Sequence, residues 1–129
     1  MKSLLALCLF ASASALSVNQ GCYQSRGLKQ QFEEVSGLED VEPDKCLEAC
    51  LLKGRDYVFA GLVRGSQCWC GRKEEVAKLR KASRGCQLLC PGSKDHSCGG
   101  LRTGNVYENL GEPGAGIDFS VRILKSARP

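Results

Sequence analysis

The pattern of apolar and polar positions predicts one main helix in the first half of this chain. Between residues 43 and 52, Leu47 and Leu51 fall on one stripe of a helix, while Cys46 and Cys50 fall on a neighbouring stripe. A proline opens this segment and a glycine follows it, which are the residues favoured at the two ends of a helix. The sequence therefore predicts a helix that presents two thiols one turn apart.

Residues 57–70 have the pattern of two short strands, because Tyr57, Val58 and Phe59 favour a sheet and Gly65–Ser66 suits a tight turn. Strand side chains alternate between two faces, so Cys68 and Cys70 should share a face of the second strand. Trp69 must then point to the opposite face.

Weaker patterns predict the remaining elements. Residues 76–82 favour a second short helix, residues 88–105 are typical of a loop, and residues 106–108 could form a short strand. After the glycine-rich segment 111–116, apolar and polar positions alternate from Ile117 to Ile123, and the pattern breaks at Leu124. This alternation predicts a half-buried extra strand that closes the domain, or an exposed edge that pairs with a partner protein.

The amino-terminal residues predict export from the cell. Lys2 is followed by an apolar run and then by small residues, an order typical of a secretory signal peptide. We expect residues 1–15 to be removed by cleavage after Ala15. The apolar run is too short to span a bilayer, which needs about 20 residues, so we expect a secreted, extracellular protein without membrane insertion.

The cysteine count predicts a disulfide framework. The chain has 9 cysteines, and Cys8 leaves with the signal peptide. An even number then remains in a short exported chain, which favours disulfides over the competing possibility of a zinc site. The remaining cysteines are Cys22, Cys46, Cys50, Cys68, Cys70, Cys86, Cys90 and Cys98.

Local geometry suggests how these cysteines pair. Thiols one helical turn apart have Cβ atoms about 5–6 Å apart, and thiols two residues apart on a strand are separated by about 7 Å. These spacings allow two bridges side by side between the helix and the strand, while the last two cysteines can close a local loop. The predicted pairs are Cys46–Cys68, Cys50–Cys70, Cys90–Cys98 and, by elimination, Cys22–Cys86.

Charge and catalytic motifs limit the possible functions. The net charge of +4 is too small to indicate nucleic-acid binding. The basic stretch 72–84 could hold an anionic glycan, but it could also be a solvated helix face. His96 is the only histidine and lies beside Asp95, with Ser93 and Ser97 nearby, but nothing in the sequence marks the oxyanion hole of a hydrolase. We therefore predict that the protein is not an enzyme and uses no cofactor or metal.

The cysteine spacing and its flanking residues resemble the WSC domain family. The resemblance covers about residues 21–108 and includes the order and spacing of all eight cysteines. The matching segments are Gly21-Cys22-Tyr23, Asp44-Lys45-Cys46-x3-Cys50, Phe59-Ala60-Gly61-Leu62, Gln67-Cys68-Trp69-Cys70-Gly71, Cys86-x3-Cys90-Pro91-Gly92, Cys98-Gly99-Gly100 and Asn105-Val106-Tyr107-Glu108.

This resemblance implies a small disulfide-rich α+β fold, similar to PAN/apple modules, with a short antiparallel sheet, one main helix and the same four disulfides. It also implies an extracellular binding role, usually for carbohydrate. We expect a WSC domain over residues 16–110 and a carboxy-terminal extension over residues 111–129. The sequence shows no Ser/Thr-rich stalk or enzyme domain, so we expect a binding module that stands alone.

Aromatic and polar side chains in the matching segments are candidate ligand contacts. Trp69 could provide a flat platform for a sugar ring, with neighbouring polar groups fixing its orientation. Each candidate also has an ordinary structural role available, because aromatic residues pack in cores and polar residues are solvated. The predicted contacts are Trp69, Tyr57, Tyr23, Tyr107, Arg64, Gln67 and Asn105. The predicted partner is a carbohydrate or glycoprotein, with a possible protein partner through Ile117–Leu124.

Overall fold

The centre of the fold is an antiparallel sheet with one helix packed on each face. The computed structural model describes residues 16–111. Within that range the elements follow in order as β1 Ser17–Gln24, α1 Ser25–Gln31, β2 Glu33–Val35, α2 Pro43–Leu51, β3 Phe59–Val63, β4 Gln67–Gly71, α3 Lys73–Val76, β5 Leu89–Cys90, β6 Ser93–Ser97 and β7 Thr103–Asn109.

Five strands form the main sheet in the order β1-β7-β3-β4-β2, and every neighbouring pair is antiparallel. The last strand, β7, therefore lies between β1 and β3 and joins the two ends of the domain. Strands β5 and β6 form a separate two-stranded hairpin. This topology confirms the predicted small disulfide-rich α+β fold with an antiparallel sheet.

The helix α2 is fastened to one face of the sheet by two disulfides. Cys46–Cys68 and Cys50–Cys70 join α2 to β4, with Cα atoms 5.7 and 5.3 Å apart. These sulfurs lie in a buried cluster with apolar side chains such as Leu47. The structure also contains Cys22–Cys86 and Cys90–Cys98, so all four bridges have the predicted pairing.

The helix α1 packs on the other face, directly over glycines of the sheet. A Cβ atom at Gly61 or Gly104 would lie 2.9 Å from the side chain of Leu28. A Cβ atom at Gly71 would approach the ring of Phe32 more closely still. Leu28 and Phe32 are buried, so the absence of side chains at these glycines lets α1 lie close against the sheet.

The main helix and the hairpin β3–β4 confirm the strongest predictions of the sequence. The turn between the two strands holds Arg64 and Gly65 with φ angles of 56° and 84°, and only glycine adopts such angles without strain. Trp69 lies on the face opposite to Cys68 and Cys70, as strand alternation predicts. The prediction did not include β1, α1 or β2, because residues 17–35 carry no clear apolar period.

The predicted helix over residues 76–82 is wrong. The helix begins after Arg72, where the backbone N–H of Arg72 donates to Glu75 Oε1 at 2.8 Å, and it ends at Val76. The chain then runs extended beside β1, where Ala82 N donates to Cys22 O at 2.9 Å. Backbone pairing with β1 thus replaces the helix that the local sequence favours.

The predicted loop over residues 88–105 is also wrong. This segment contains β5, β6 and the first residues of β7, and β7 extends well beyond the predicted strand at residues 106–108. Alternation is weak in β6 because none of its five side chains is fully buried. The Cys90–Cys98 bridge and backbone pairing hold the hairpin, and neither leaves an apolar pattern in the sequence.

Two sequence predictions fall outside the described residues: the signal peptide at residues 1–15 and the strand at Ile117–Leu124. Within residues 16–111, none of the helices has the length and apolar character needed to cross a bilayer.

Candidate functional site

Trp69 is half-buried on the α1 face of the sheet. Its ring packs against the buried cluster that contains Leu28 and Phe32. Its indole N–H donates to Gln67 Oε1 at 3.2 Å, and the Lys29 ammonium lies 5.8 Å from the ring centroid. Part of the Trp69 side chain therefore packs in the core, and its indole N–H already has a hydrogen-bond partner.

Tyr57 lies in a charged cluster at the edge of the sheet. Its hydroxyl donates to Glu33 Oε2 at 3.0 Å, and the Arg72 guanidinium lies 5.2 Å from the ring centroid. The hydrogen bond from Tyr57, followed by that from Lys53, holds the pKa of Glu33 below its ordinary value of 4.5. The same bond to Glu33 raises the pKa of Tyr57. These contacts describe a surface network of fixed charges around one aromatic ring.

Tyr23 and Tyr107 are core residues on opposite faces of the sheet. Tyr107 packs with the disulfides, its hydroxyl donates to Ser97 O at 2.8 Å, and burial raises its pKa. Tyr23 packs on the α1 face, where the Lys81 ammonium lies 5.1 Å from its ring centroid. The sheet separates the two rings, so they do not form one platform.

The polar candidates also hold the fold together. Asn105 is 4% exposed, and its Oδ1 accepts a hydrogen bond from Gly99 N at 2.9 Å. Exposed Arg64 reaches Leu101 O at 3.4 Å from its Nη1 atom. The structure therefore brings Trp69 and Gln67 together, but it does not assemble the seven predicted contacts into a single surface.

An open groove lies beside α1, on the same face as Trp69 but lined by other residues. It has a volume of about 320 Å³. Its lining consists of amide side chains, cationic side chains and one glycine, with no acidic or aromatic residue among those that line it. These residues are Gln24, Arg26, Gly27, Gln30, Gln31, Lys78 and Arg80.

Two segments far apart in sequence form the walls of this groove. One wall is α1, which crosses the sheet from β1 to β2, and the other is the extended segment after α3. Gln24 N donates to Arg80 O at 2.8 Å and joins the two walls at one end. The Cys22–Cys86 bridge fastens the same two segments nearby. The groove therefore depends on long-range contacts of β1.

The sequence analysis identified only some of the residues that line the groove. Lys78 and Arg80 belong to the basic stretch 72–84, which the sequence analysis identifies as a candidate site for an anionic glycan. The glutamines and Arg26 were not predicted as ligand contacts. Helical spacing places Arg26 and Gln30 on one side of α1, and this spacing is the signal that could have found them. This spacing is informative only if residues 25–31 are first predicted to form a helix.

The disulfide core contains an arrangement that resembles a metal site. The sulfurs of Cys46, Cys50 and Cys68 lie within 4.8 Å of one another and are buried. Zinc binding requires thiolates, and each of these sulfurs is bonded in a disulfide instead. The cluster therefore serves to join α2 to β4.

His96 contacts a serine on the same strand. Ser93 Oγ lies 2.8 Å from His96 Nδ1, and the imidazole ring meets Tyr107 edge-on with ring centroids 6.1 Å apart. Within residues 16–111, no carboxylate forms a hydrogen bond with His96. A nucleophile–base pair needs a third group that orients the base, and the described contacts of His96 do not provide one.

The four bridges, the five-stranded sheet and its two helices define a disulfide-stabilised α+β domain. The chain belongs to the WSC domain family, whose family model matches residues 19–100.

Individual relatives contain this domain as a small part of a larger protein. The chain is 33% identical over 96 residues to xylosyltransferase oxt of Drosophila pseudoobscura pseudoobscura, covering 71% of this chain and 10% of that protein. It is 31% identical over 88 residues to glycerotoxin paralog 1 of Glycera tridactyla, covering 68% and 7%. It is 32% identical over 90 residues to Kremen protein 2 of Homo sapiens, covering 68% and 19%.

Proposed function

We propose that this WSC domain is an extracellular carbohydrate-binding module and not an enzyme. The polar groove beside α1 is the observation that carries this proposal. Glutamine amides both donate and accept hydrogen bonds, which suits the hydroxyl groups of sugars. The groove volume of about 320 Å³ lies at the lower end of the range of roughly 300–1,000 Å³ occupied by small-molecule sites.

Two further observations support an extracellular binding role. Four disulfides suit the oxidising route of export and are rare in reducing compartments. The groove is open and lined by exposed flexible side chains, with Gln24, Arg26 and Gln30 all exposed. Such a surface suits recognition of a polymer along its length better than enclosure of a reacting group.

The groove is a better candidate for sugar contact than the ring of Trp69. The polar edge of that ring already bonds to Gln67, and the Lys29 ammonium lies over its face. A glycan array can separate the two surfaces by comparing wild type with Gln24→Ala/Gln30→Ala in the groove and Trp69→Leu on the sheet. The protein should be displayed as a tetramer, because a single shallow site binds weakly and multivalency raises the apparent affinity.

We expect wild type and Trp69→Leu to bind the same glycans, and the groove variant to lose most of that binding. Circular dichroism and the absence of free thiols should show that each variant is folded. If the groove variant binds glycans as well as wild type does, the glycan site does not lie in the groove beside α1. An array without any bound glycan would contradict the carbohydrate-binding proposal itself.

An extracellular protein-interaction or receptor-type module is the second candidate. Three apolar side chains are exposed where β1 begins and β7 ends, namely Leu16 at 59%, Val18 at 37% and Leu110 at 52%. The segment 80–82 covers the outer edge of β1 near Cys22–Gln24, but within the described residues no strand pairs with that edge at 17–20. Such an edge can accept a strand from another protein.

Two variants test this second candidate: a chain that lacks residues 112–129, and Leu16→Ser/Val18→Ser. In a pull-down from secreted proteins, a partner that uses this edge should be lost with Leu16→Ser/Val18→Ser, and a partner that uses Ile117–Leu124 should be lost with the truncated chain. Glycan binding through the groove should survive both changes. A captured protein that Leu16→Ser/Val18→Ser still binds as well as wild type would argue against the edge as an interaction site.

A further inference from the structure

The cations of the groove form no ion pair with an acidic side chain of the described residues, unlike Arg72 and Lys53. Arg72 lies within 4.0 Å of Asp56, Glu74 and Glu75, and Lys53 pairs with Glu33. Across residues 16–111, no carboxylate lies within that distance of Arg26, Lys78 or Arg80. The charge of Lys78 makes only a minor contribution to the lowered pKa of Glu75, so these three neighbouring cations keep a net positive charge that favours the binding of an external anion.

The segments that wall the groove and the segment that forms α2 differ in charge. The segments that wall the groove, residues 24–31 and 77–84, contain basic side chains and no acidic ones. Residues 39–48, which lead into and form α2 on the other face, contain Lys45 and the acidic side chains Glu39, Asp40, Glu42, Asp44 and Glu48. The walls of the groove are therefore more basic than the segment that forms α2, and this local positive charge would attract an anionic polymer.

We propose, building on the carbohydrate-binding function above, that the ligand of this groove is an anionic polysaccharide carrying sulfate or carboxylate groups. Arg26 on one wall and Lys78 and Arg80 on the other would bind these groups from both sides, because guanidinium and ammonium groups form charge-assisted hydrogen bonds to oxyanions. Gln24 and Gln30 would bind the neighbouring hydroxyls.

The composition of the groove favours a glycan over a nucleic acid as the anionic polymer. Binding to single-stranded nucleic acid relies on aromatic side chains that stack on the bases, and the lining of this groove contains none. The amide side chains between the cations instead match a polymer that alternates hydroxyl and acidic groups.

Affinity for heparin tests the proposal directly, with fully desulfated heparin and a single-stranded oligonucleotide as comparison ligands. The test variant is Arg26→Gln/Lys78→Gln/Arg80→Gln. The matched control, Lys45→Gln/Arg55→Gln/Lys94→Gln, removes the same charge from exposed positions outside the groove. Binding is measured over a range of NaCl concentrations, and folding is checked by circular dichroism.

We expect wild type and the control to bind heparin with affinities within about twofold of each other, and the groove variant to bind about tenfold or more weakly. The slope of log affinity against log salt should fall in magnitude by roughly 2 in the groove variant, since fewer counterions are released. Desulfated heparin should bind wild type more weakly than heparin does.

Four results would overturn this proposal. Equal losses in both variants would show that only net charge matters, and equal groove-dependent binding of the oligonucleotide would remove the assignment to a glycan. Wild type that binds neutral glycans on the array but not heparin would refute the anionic ligand and leave the carbohydrate-binding function intact. Failure to bind any glycan would contradict both the anionic ligand and the carbohydrate-binding function.

Discussion

Adding one methyl group at Gly71 tests whether α1 packs directly on the sheet. Gly71 is buried at the end of β4, and a Cβ atom there would lie closer than 3.0 Å to three atoms of the Phe32 ring. Phe32 is 4% exposed, so any movement of its ring would disturb the core that surrounds it. Gly71→Ala should therefore force apart α1 and β4.

The expected loss of stability in Gly71→Ala follows from overpacking of the core around Phe32. Overpacking of a core typically costs about 1–3 kcal/mol, and complete loss of the phenyl ring from the core would cost about 3–5 kcal/mol. For a domain of this size, each kcal/mol lowers the melting temperature by about 4–8 °C. We therefore expect Gly71→Ala to melt roughly 4–24 °C below wild type.

Thermal unfolding followed by circular dichroism, with disulfides intact, measures this change. Gly27→Ala is the matched control, because a Cβ atom at Gly27 has no neighbour within 4 Å. Gly27 lies inside α1, where alanine is favoured over glycine by up to about 1 kcal/mol, so this variant should be as stable as wild type or more so.

A double-mutant cycle with Phe32→Leu identifies the contact. A smaller side chain at position 32 leaves room for the added methyl group, so the double variant should be more stable than the sum of the two single changes predicts, by about 1 kcal/mol. Strictly additive effects, or a Gly71→Ala protein with the melting temperature of wild type, would refute the direct packing of Phe32 on Gly71.

Further predictions concern the disulfides, the charged network and a buried amide. Cys50→Ala/Cys70→Ala should lower the free energy of unfolding by about 2–5 kcal/mol in denaturant titrations. Glu75→Gln should cost about 0.5–1 kcal/mol near neutral pH through weaker capping of α3. The hydrogen bond from Arg72 lowers the pKa of Glu75 below 4.5, so this difference should persist above that pH and disappear as pH falls through the lowered pKa. A difference unchanged at about pH 2 would contradict this linkage. Asn105→Ala should cost about 1–3 kcal/mol by leaving the Gly99 N–H without its acceptor, and calorimetry showing no loss would exclude that role.

Asn105 illustrates why ligand contacts were hard to predict. Its type and its position near aromatic residues suggested a sugar contact, yet its side chain accepts a hydrogen bond from Gly99 within the fold. The same holds for Tyr107, whose hydroxyl bonds to Ser97. Residue type shows which bonds a side chain can form, whereas the packed structure decides whether those bonds are already made.

Local spacing in the sequence was sufficient to predict α2, the hairpin β3–β4 and the bridges Cys46–Cys68 and Cys50–Cys70. The bridge Cys22–Cys86 followed only by elimination, after Cys90–Cys98 was assigned to a local loop. Residues three or four apart on a helix and two apart on a strand have nearly fixed geometry, whatever surrounds them. The side of β4 that carries Trp69 followed from the same rule. These features depend on short stretches of backbone, which the sequence describes directly.

Only the tertiary structure decided where the groove lies. Gln24 and Arg80 are distant in sequence and meet because β1, the Cys22–Cys86 bridge and the extended segment after α3 bring them together. The helix α1 lies over Gly61 and Gly104, on strands that enter the sheet much later in the chain. Long-range strand pairing creates this surface, because the groove forms only where α1 and the extended segment after α3 pack side by side.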